Sequence, residues 1–342
     1  ASAYAIGLAI VKGDIRYALL AGVFAGAFIG SKYTGLLFAT AGAAAFVWAW
    51  RQPRMLLVYC LGCIAIGWQW YWWNWVNAGD PVFPVLFETL KNFGYRYWDV
   101  AQNIAFLEYY ALERAVVPSF WWLIKYPFVA TLLEIPAFES SRTGLGPLAL
   151  LLLPFALIGG WLQRRQIITS PLFSVVIVAF GFYVLMFFLG PSHKVRHLLP
   201  IYPLLLISFT ASAYWCAKFL NVNLILVSAI IITLGIQLVG HGLAVTPMVK
   251  YALTNETKDG YLGRYLLGYP VVLMINNQLA PEAKVMISGR QIIYYLDTKY
   301  FLADPVAQGV INIRSDATDT KAFLGEIRQM GITHIQAQYI SK

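Results

Sequence analysis

The sequence predicts a mainly α-helical protein, a polytopic bundle of transmembrane helices with a small C-terminal α/β domain on the outer face of the membrane. Composition is the first reason: 59% of the 342 residues are hydrophobic and only 12% are charged, against about 25% charged residues in soluble domains. The second is the length of apolar runs such as Ser174–Leu189 and Leu198–Tyr214, which approach what a bilayer core of about 30 Å requires. The third is a change to polar sequence after about residue 245.

Apolar segments and their connections give the domain organisation. We predict a transmembrane domain over 1–245, interrupted by an aromatic-rich interfacial loop at 78–145, and an extracytoplasmic α/β domain over 246–342. The second domain can be incomplete, because the chain ends soon after its last predicted strand. Because the chain starts at Ala1 within an apolar stretch, we also expect a processed N-terminus or a longer protein. The predicted apolar segments are 1–11, 17–30, 35–50, 55–77, 146–163, 171–189, 198–217 and 222–245.

The segment 17–50 is predicted to be two helices. A single helix of this length would measure about 50 Å, which exceeds the bilayer core. The sequence GSKYTG (Gly30–Gly35) interrupts it, and a lysine at mid-membrane would be costly. We therefore expect two short helices that meet at a tip near Lys32.

The distribution of Lys and Arg in short loops predicts the orientation. With Arg51 and Arg54 in the cytoplasm, Arg164, Arg165 and Lys218 also lie there, while the loop 78–145, the stretch 190–197 and the polar tail lie outside. Short loops then carry five basic residues inside and two outside, which agrees with the positive-inside rule. The net charge of +9 is expected to face lipid rather than nucleic acid.

The polar tail alternates helical and extended patterns. Tyr261–Leu279 is predicted to be a helix that Pro270 can break, and Lys284–Ser288 is predicted to be a strand. A second helix over Thr318–Met330, capped by Thr318 or Asp319 and ended by Gly331, precedes a strand over Thr333–Gln338.

The interfacial loop supplies aromatic and acidic side chains. WQWYWWNW (Trp68–Trp75), just before it, is typical of an interfacial aromatic belt, with a platform for sugar or lipid as the alternative. NFGYRYW and FLEYYALERAVVPSFWWLIKYPF are predicted to form amphipathic helices in the interface. No two carboxylates there have a diagnostic spacing, and each is expected to be solvated or capping rather than catalytic: Asp80, Glu88, Asp99, Glu108, Glu113, Glu134 and Glu139.

The stretch GPSHKVRH (Gly190–His197) places His193, Lys194, Arg196 and His197 at the outer end of an apolar segment. This opposes the positive-inside bias, so an anion is expected to compensate, and Lys and Arg are suited to phosphate oxygens. Histidine can add a donor or move a proton. The alternative is that Lys194 and Arg196 extend to lipid headgroups. Lys32, predicted on the same face, favours a shared anionic ligand, and Arg142 is a further candidate.

Four segments, in order along the chain, resemble the polyprenol-dependent glycosyltransferases of the GT-C fold, a class that includes aminoarabinose transferases and protein mannosyltransferases (family 39-like). The tail, with Tyr265–Gly289 and GITHI (Gly331–Ile335), is similar to their outer α/β domain. The four segments are GAFIGSKYTGLLF (Gly26–Phe38), WNWVNAGDPVFPVLF (Trp73–Phe87), TGLGPLALLLLPFALIG (Thr143–Gly159) and VRHLLPIYPLLLI (Val195–Ile207).

The resemblance implies a sugar transfer from a polyprenyl-phosphate donor to an acceptor at the outer face, with inversion at the sugar carbon. It implies that Arg196 and Lys32 hold the donor phosphate, assisted by Lys194 or a histidine. The family's catalytic carboxylate is usually in a first outer loop, which is expected upstream of this chain. Tyr33, Trp73 and Asp80 lie in matching segments and are candidate substrate contacts, although the family often has Asn at the position of Asp80 and Tyr at that of His197.

Two other functions stay open. The chain could be an inactive structural or accessory subunit of a larger membrane assembly, with membrane protein partners. A transporter would require ionisable residues within the spans and repeated segments, and we find neither in the sequence. No P-loop, GxSxG or HExxH motif occurs, so a soluble nucleotide site is unsupported. The sequence does not decide whether a divalent metal is required, and the cytoplasmic membrane of a bacterium is expected from the resemblance.

Overall fold

The computed structural model describes residues 1–49, 53–93, 98–133, 135–140, 146–304 and 320–336. Within them the chain is mainly helical, with a small parallel sheet near its C-terminal end. The helices and strands, in chain order, are α1 (Ser2–Lys12), α2 (Ile15–Ser31), α3 (Thr34–Trp48), α4 (Pro53–Ala78), α5 (Phe87–Leu90), α6 (Val100–Glu113), α7 (Phe120–Leu132), α8 (Pro147–Leu162), α9 (Arg164–Ile168), α10 (Pro171–Leu189), α11 (Tyr202–Leu220), α12 (Asn223–Leu253), α13 (Lys258–Tyr265), α14 (Tyr269–Gln278), β1 (Lys284–Ile287), β2 (Lys299–Leu302), α15 (Thr320–Gln329) and β3 (His334–Ile335).

In the described part of the chain, four helices are long and apolar enough to cross a membrane: α4, α10, α11 and α12. Four shorter apolar helices, α1, α2, α3 and α8, accompany them. The helix α12 has little of its apolar surface buried, as expected of a helix that faces lipid. These helices indicate a membrane protein, and their bounds follow the predicted apolar segments with two exceptions. The helix α11 begins at Tyr202 rather than at residue 198, and α12 continues to Leu253 rather than ending at residue 245.

The predicted helical hairpin at Lys32 is confirmed. The helix α2 starts at an N-cap, since the carboxylate of Asp14 accepts the backbone N–H of Arg16 at 2.9 Å. It ends at Ser31, where Lys32 adopts an extended backbone with φ −160° and ψ 140°. The helix α3 begins two residues later at Thr34. Lys32 and Tyr33 therefore form the whole connection between two apolar helices.

Glycines allow α2 and α4 to approach closely. Gly22, Gly26 and Gly30 recur every four residues on one face of α2 and meet Gly62 and Gly67 of α4. A Cβ atom added to Gly26 would lie 2.6 Å from the carbonyl oxygen of Cys63. Such small-residue repeats bring helix backbones together in membranes, where burial of apolar surface gives no driving force between helices.

The chain divides into two compact units, 1–95 with 110–238, and 96–109 with 239–342. The core of the first unit is built from α1, α2, α3, α4, α7 and α10, and includes Ile6, Phe38, Tyr59 and Phe182, which are almost fully buried. Tyr126 of α7 is also part of this core. The loop after α10 is anchored to the core through Val195, Leu198 and Ile201.

The second unit contains a three-stranded parallel sheet in the order β2-β1-β3. Side chains of β1 alternate between its faces. Val285 and Ile287 pack with Val272 and Ile275 of α14, whereas Met286 packs with Ile327 of α15 and its neighbours.

The tail therefore has the predicted α/β character, with two differences in detail. The predicted helix 261–279 is two helices, separated by Gly268 at φ 85° and restarted by Pro270 in the first turn of α14. The strand β2 was not predicted. Gly331, at φ 70°, follows α15 as expected, and the predicted cap at Thr318 or Asp319 lies outside the described residues.

Candidate functional site

The basic loop after α10 is fixed by hydrogen bonds to two distant helices. The hydroxyl of Tyr126 donates to the carbonyl of His193 at 2.6 Å, and the backbone N–H of His193 donates to the carbonyl of Glu113 at 3.1 Å. The loop then turns through a short 3₁₀ helix, Val195–Leu198. This places Lys194, Arg196 and His197 within four residues of one another on a supported backbone.

Lys194 is held by two carboxylates. Its ammonium lies 2.6 Å from Oε1 of Glu113 and 3.1 Å from Oε1 of Glu139. The other oxygen of Glu113, Oε2, accepts the hydroxyl of Ser192 at 2.9 Å. Burial acts to lower the pKa of Lys194, but the hydrogen bonds to the two carboxylates outweigh it and the net pKa is raised. Lys194 is therefore charged and engaged within the protein.

Arg196 lies at the outer side of the same cluster. Its guanidinium is 3.2 Å from Oε2 of Glu139, and 48% of its side chain is exposed. Glu139 thus bridges Lys194 and Arg196. It does so from a left-handed backbone conformation with φ 53°, directly after the 3₁₀ helix Pro136–Phe138.

Lys32 and His197 meet although 165 residues separate them in sequence, with 3.0 Å between Nζ of Lys32 and Nδ1 of His197. A protonated lysine has only donors, so Nδ1 accepts and the proton of a neutral imidazole resides on Nε2. The tip of the α2–α3 hairpin and the basic loop are therefore in direct contact.

The pKa values of Lys32 and His197 are both lowered by burial and by neighbouring positive charge. Burial and the charges of Lys32 and Arg196 lower the pKa of His197 to about 4, although Glu113 and Glu139 act in the opposite direction. Burial and Arg196 also lower the pKa of Lys32. No carboxylate in the described part of the chain forms an ion pair with Lys32. Counted over these described residues, the three cations and two carboxylates, with a neutral His197, give a net charge of +1.

His193 does not share this environment. The residue is 3% exposed, and its ring stacks on Phe187 with 4.9 Å between ring centroids. Its Nε2 lies 3.0 Å from the carbonyl of Phe187. Burial lowers the pKa of His193. The prediction that this side chain contacts a phosphate is not supported by its position, because it is packed beneath the loop rather than beside Lys32 and Arg196.

Tyr33 and Asp80 have structural partners. The hydroxyl of Tyr33 accepts from Nδ2 of Asn74 at 2.7 Å and donates to the carbonyl of Phe83 at 3.1 Å. Asp80 is fully buried, and its two oxygens accept the backbone N–H groups of Val82 and Leu86. Its capping role agrees with the expectation for these carboxylates, whereas direct contact with a substrate would require it to be uncovered.

Trp73 lines a shallow groove near the hairpin tip. It stacks on Trp70 with 5.1 Å between centroids and 8° between planes. The two indoles, with Gly30, Ile66, Gly67 and Gln69, enclose a volume of about 300 Å³. Gly30 is two residues before Lys32, so this apolar groove begins close to the charged pair.

Sequence reasoning missed the role of Glu113. The expectation that it is solvated or a cap is wrong, because it is 8% exposed and ion-paired with Lys194. Glu139 is likewise a partner of both basic residues. The missed signal was the balance of charge, since two basic residues on the predicted outer face could be matched by carboxylates of the outer loop. Arg142 and Glu134 lie outside the described residues.

Among the described residues, no group of three His, Cys, Asp or Glu side chains could hold a metal ion. Compared with protein-family models, curated proteins and solved structures, the chain matches none.

Proposed function

We propose that this chain is a membrane glycosyltransferase of the GT-C type, which moves a sugar from a polyprenyl-phosphate donor to an acceptor at the outer face of a membrane. The observation that carries the proposal is the contact between Lys32 and His197 beside Arg196. It supports an anionic ligand because cations from two distant segments converge without a carboxylate at Lys32 in the described part of the chain.

The donor phosphate would be bound by Lys32, Arg196 and Nε2–H of His197. Arg196 offers a planar fork of donors and Lys32 a compact charge. The groove at Trp70 and Trp73 begins next to this position and is suited to the first part of the prenyl chain or to the sugar ring. Lys194, already neutralised by Glu113 and Glu139, would act by holding the loop rather than by binding phosphate.

In the reaction, the bond between the anomeric carbon and the phosphate oxygen breaks while the acceptor oxygen bonds to the same carbon from the opposite side. The phosphate leaves as an anion, and cations fixed at that position stabilise the developing charge. A carboxylate base takes the acceptor proton. We propose a location in the cytoplasmic membrane of a bacterium, with the C-terminal α/β domain outside.

Binding and turnover of a radiolabelled polyprenyl-phosphate sugar by the purified protein in detergent test the proposal. We expect wild type to retain the donor, and Lys32→Ala and Arg196→Ala to lose retention by tenfold or more, which corresponds to about 1.4 kcal/mol. Lys91→Ala is the matched control, since Lys91 pairs with Glu88 on the exposed loop. Transfer of label to an added acceptor would then identify the acceptor class.

An accessory subunit is the second candidate. Glu113 and Glu139 neutralise much of the loop's charge from within the chain, which would suit a scaffold that needs no anionic ligand. If wild type binds no donor, the transferase proposal fails and the scaffold is favoured.

A further inference from the structure

A second cavity in the first unit lies between α8, α9, α10 and α11, away from the charged cluster. It encloses about 660 Å³, within the range of about 300–1,000 Å³ typical of ligand sites. Its walls are almost entirely apolar and include Leu157, Gly160, Phe180, Leu205 and Phe209.

The cavity lies beside a close contact between α8 and α11. Gly159 of α8 is in direct contact with the backbone of Ser212 in α11, so the two helices touch at this point. Gly160, the next residue, lines the cavity, and a Cβ added there would meet nothing within 4 Å. The cavity therefore has free space beside Gly160, and two of its helices, α10 and α11, are long and apolar enough to cross a membrane.

One end of the cavity is charged. Arg164, which lines it, is exposed and stacks over the indole of Trp161, with 4.8 Å from Cζ to the ring centroid, while Nη1 donates to the carbonyl of Trp161 at 3.0 Å. In the described part of the chain, no carboxylate forms an ion pair with Arg164 or Arg165. A tryptophan and an arginine at the end of an apolar groove are the residue types expected where a membrane protein meets the lipid headgroups.

We infer that this groove binds an anionic phospholipid, with one acyl chain between α8, α10 and α11 and the phosphate at Arg164. Each end matches one part of such a lipid. The apolar walls can contact hydrocarbon. The guanidinium of Arg164, which has no ion-pair partner among the described residues, can donate hydrogen bonds to phosphate oxygens. The site is independent of the donor site proposed above, because it shares no residue with the Lys32 cluster.

Native mass spectrometry of the detergent-purified protein tests this, with phosphatidylglycerol and phosphatidylcholine of identical acyl chains as probes. We expect wild type to retain one phosphatidylglycerol in preference to phosphatidylcholine. Arg164→Gln should reduce that preference about fivefold, the contribution of one basic residue near an anionic surface. Arg165→Gln, which removes the same charge from a residue that does not line the groove, should have a smaller effect.

A second pair of variants tests the acyl-chain site. Gly160→Phe should fill the groove and abolish retention of both lipids, whereas Gly235→Phe should not, because Gly235 also faces open space but lies on α12 outside the groove. Equal retention of the two lipids by wild type, or retention by Gly160→Phe at the wild-type level, would overturn the inference. Failure of the wild-type protein to retain either lipid would also overturn the inference.

Discussion

Lys194 lies between two carboxylates, and this position determines what the residue can do. Its side chain is 18% exposed and that of Glu113 is 9% exposed. Charges removed from water to this degree depend on each other, because a partner left alone keeps its desolvation cost without the compensating attraction. We conclude that Lys194 and Glu113 stabilise the loop that presents Arg196 and His197.

Lys194→Met should lower the free energy of unfolding by about 3 kcal/mol, as expected when one partner of a buried pair is removed. Adding Glu113→Gln should restore part of the loss. Lys91→Met is the control and should cost less than about 1 kcal/mol, because its pair with Glu88 is exposed. Thermal unfolding in detergent measures all four proteins. A Lys194→Met protein as stable as the control would contradict the assigned role.

His197 makes stability sensitive to acid. Its pKa in the folded protein is about 4, below the ordinary value of 6.5. Between these values the unfolded chain binds a proton that the folded protein does not, so stability is full above pH 6.5 and decreases as the pH falls towards 4. The cause is burial together with Lys32 and Arg196, opposed by Glu113 and Glu139.

His197→Gln should therefore lose less stability than wild type between pH 7 and pH 4.5, by up to about 1.4 kcal/mol per pH unit from one proton. Melting temperatures across this range measure the difference. His334→Gln, at an exposed position of β3, is the control and should follow wild type. If the melting temperature of His197→Gln falls with pH as steeply as that of wild type, His197 does not have a lowered pKa.

At the scale of elements, the position of Lys32 depends on glycine. The contact of α2 with α4 is made at Gly22 and Gly26, where backbone meets backbone. Close contact along this face fixes α2 as a rigid support up to its last residue, Ser31. Lys32 follows immediately, so the packing of two apolar helices determines where its ammonium can reach.

Gly26→Leu should destabilise the protein by about 3 kcal/mol or more, because added side-chain atoms have no space and the backbones must separate. Gly235→Leu should be neutral or slightly stabilising, since its site is open and leucine is a better helix former than glycine. Thermal unfolding and the yield of folded protein measure both variants. Equal behaviour of the two would show that the α2–α4 contact is not close.

At the scale of the whole molecule, the helices were predictable and the ion pairs were not. Apolar runs bounded by charged turns specify helix position locally, so the hairpin at Lys32 and the limits of α10 follow from sequence. The pair of Lys194 with Glu113 joins residues 81 positions apart, and no local pattern indicates it. The strand β2, with only KYFL to identify it, was too short to distinguish from a loop.

The same limit applies to the candidate site. The sequence predicted that Lys32 and the basic loop would share a ligand, and the structure brings Lys32 to His197. The sequence did not predict that Glu139 would pair with Arg196 or that His193 would be buried. Both depend on how α7 and the basic loop pack together. Composition reveals the presence of charge, whereas only packing determines which charges remain unmatched.

The most direct test of the account is a comparison of polyprenyl phosphate with uncharged polyprenol of equal length, binding to wild type and to Lys32→Gln. If Lys32, Arg196 and His197 bind phosphate, wild type should bind the phosphate at least tenfold more tightly than the alcohol. Lys32→Gln should lose most of that preference, as expected for one charge-assisted hydrogen bond. Equal affinity of wild type for the two lipids, or an unchanged preference in Lys32→Gln, would contradict the central claim.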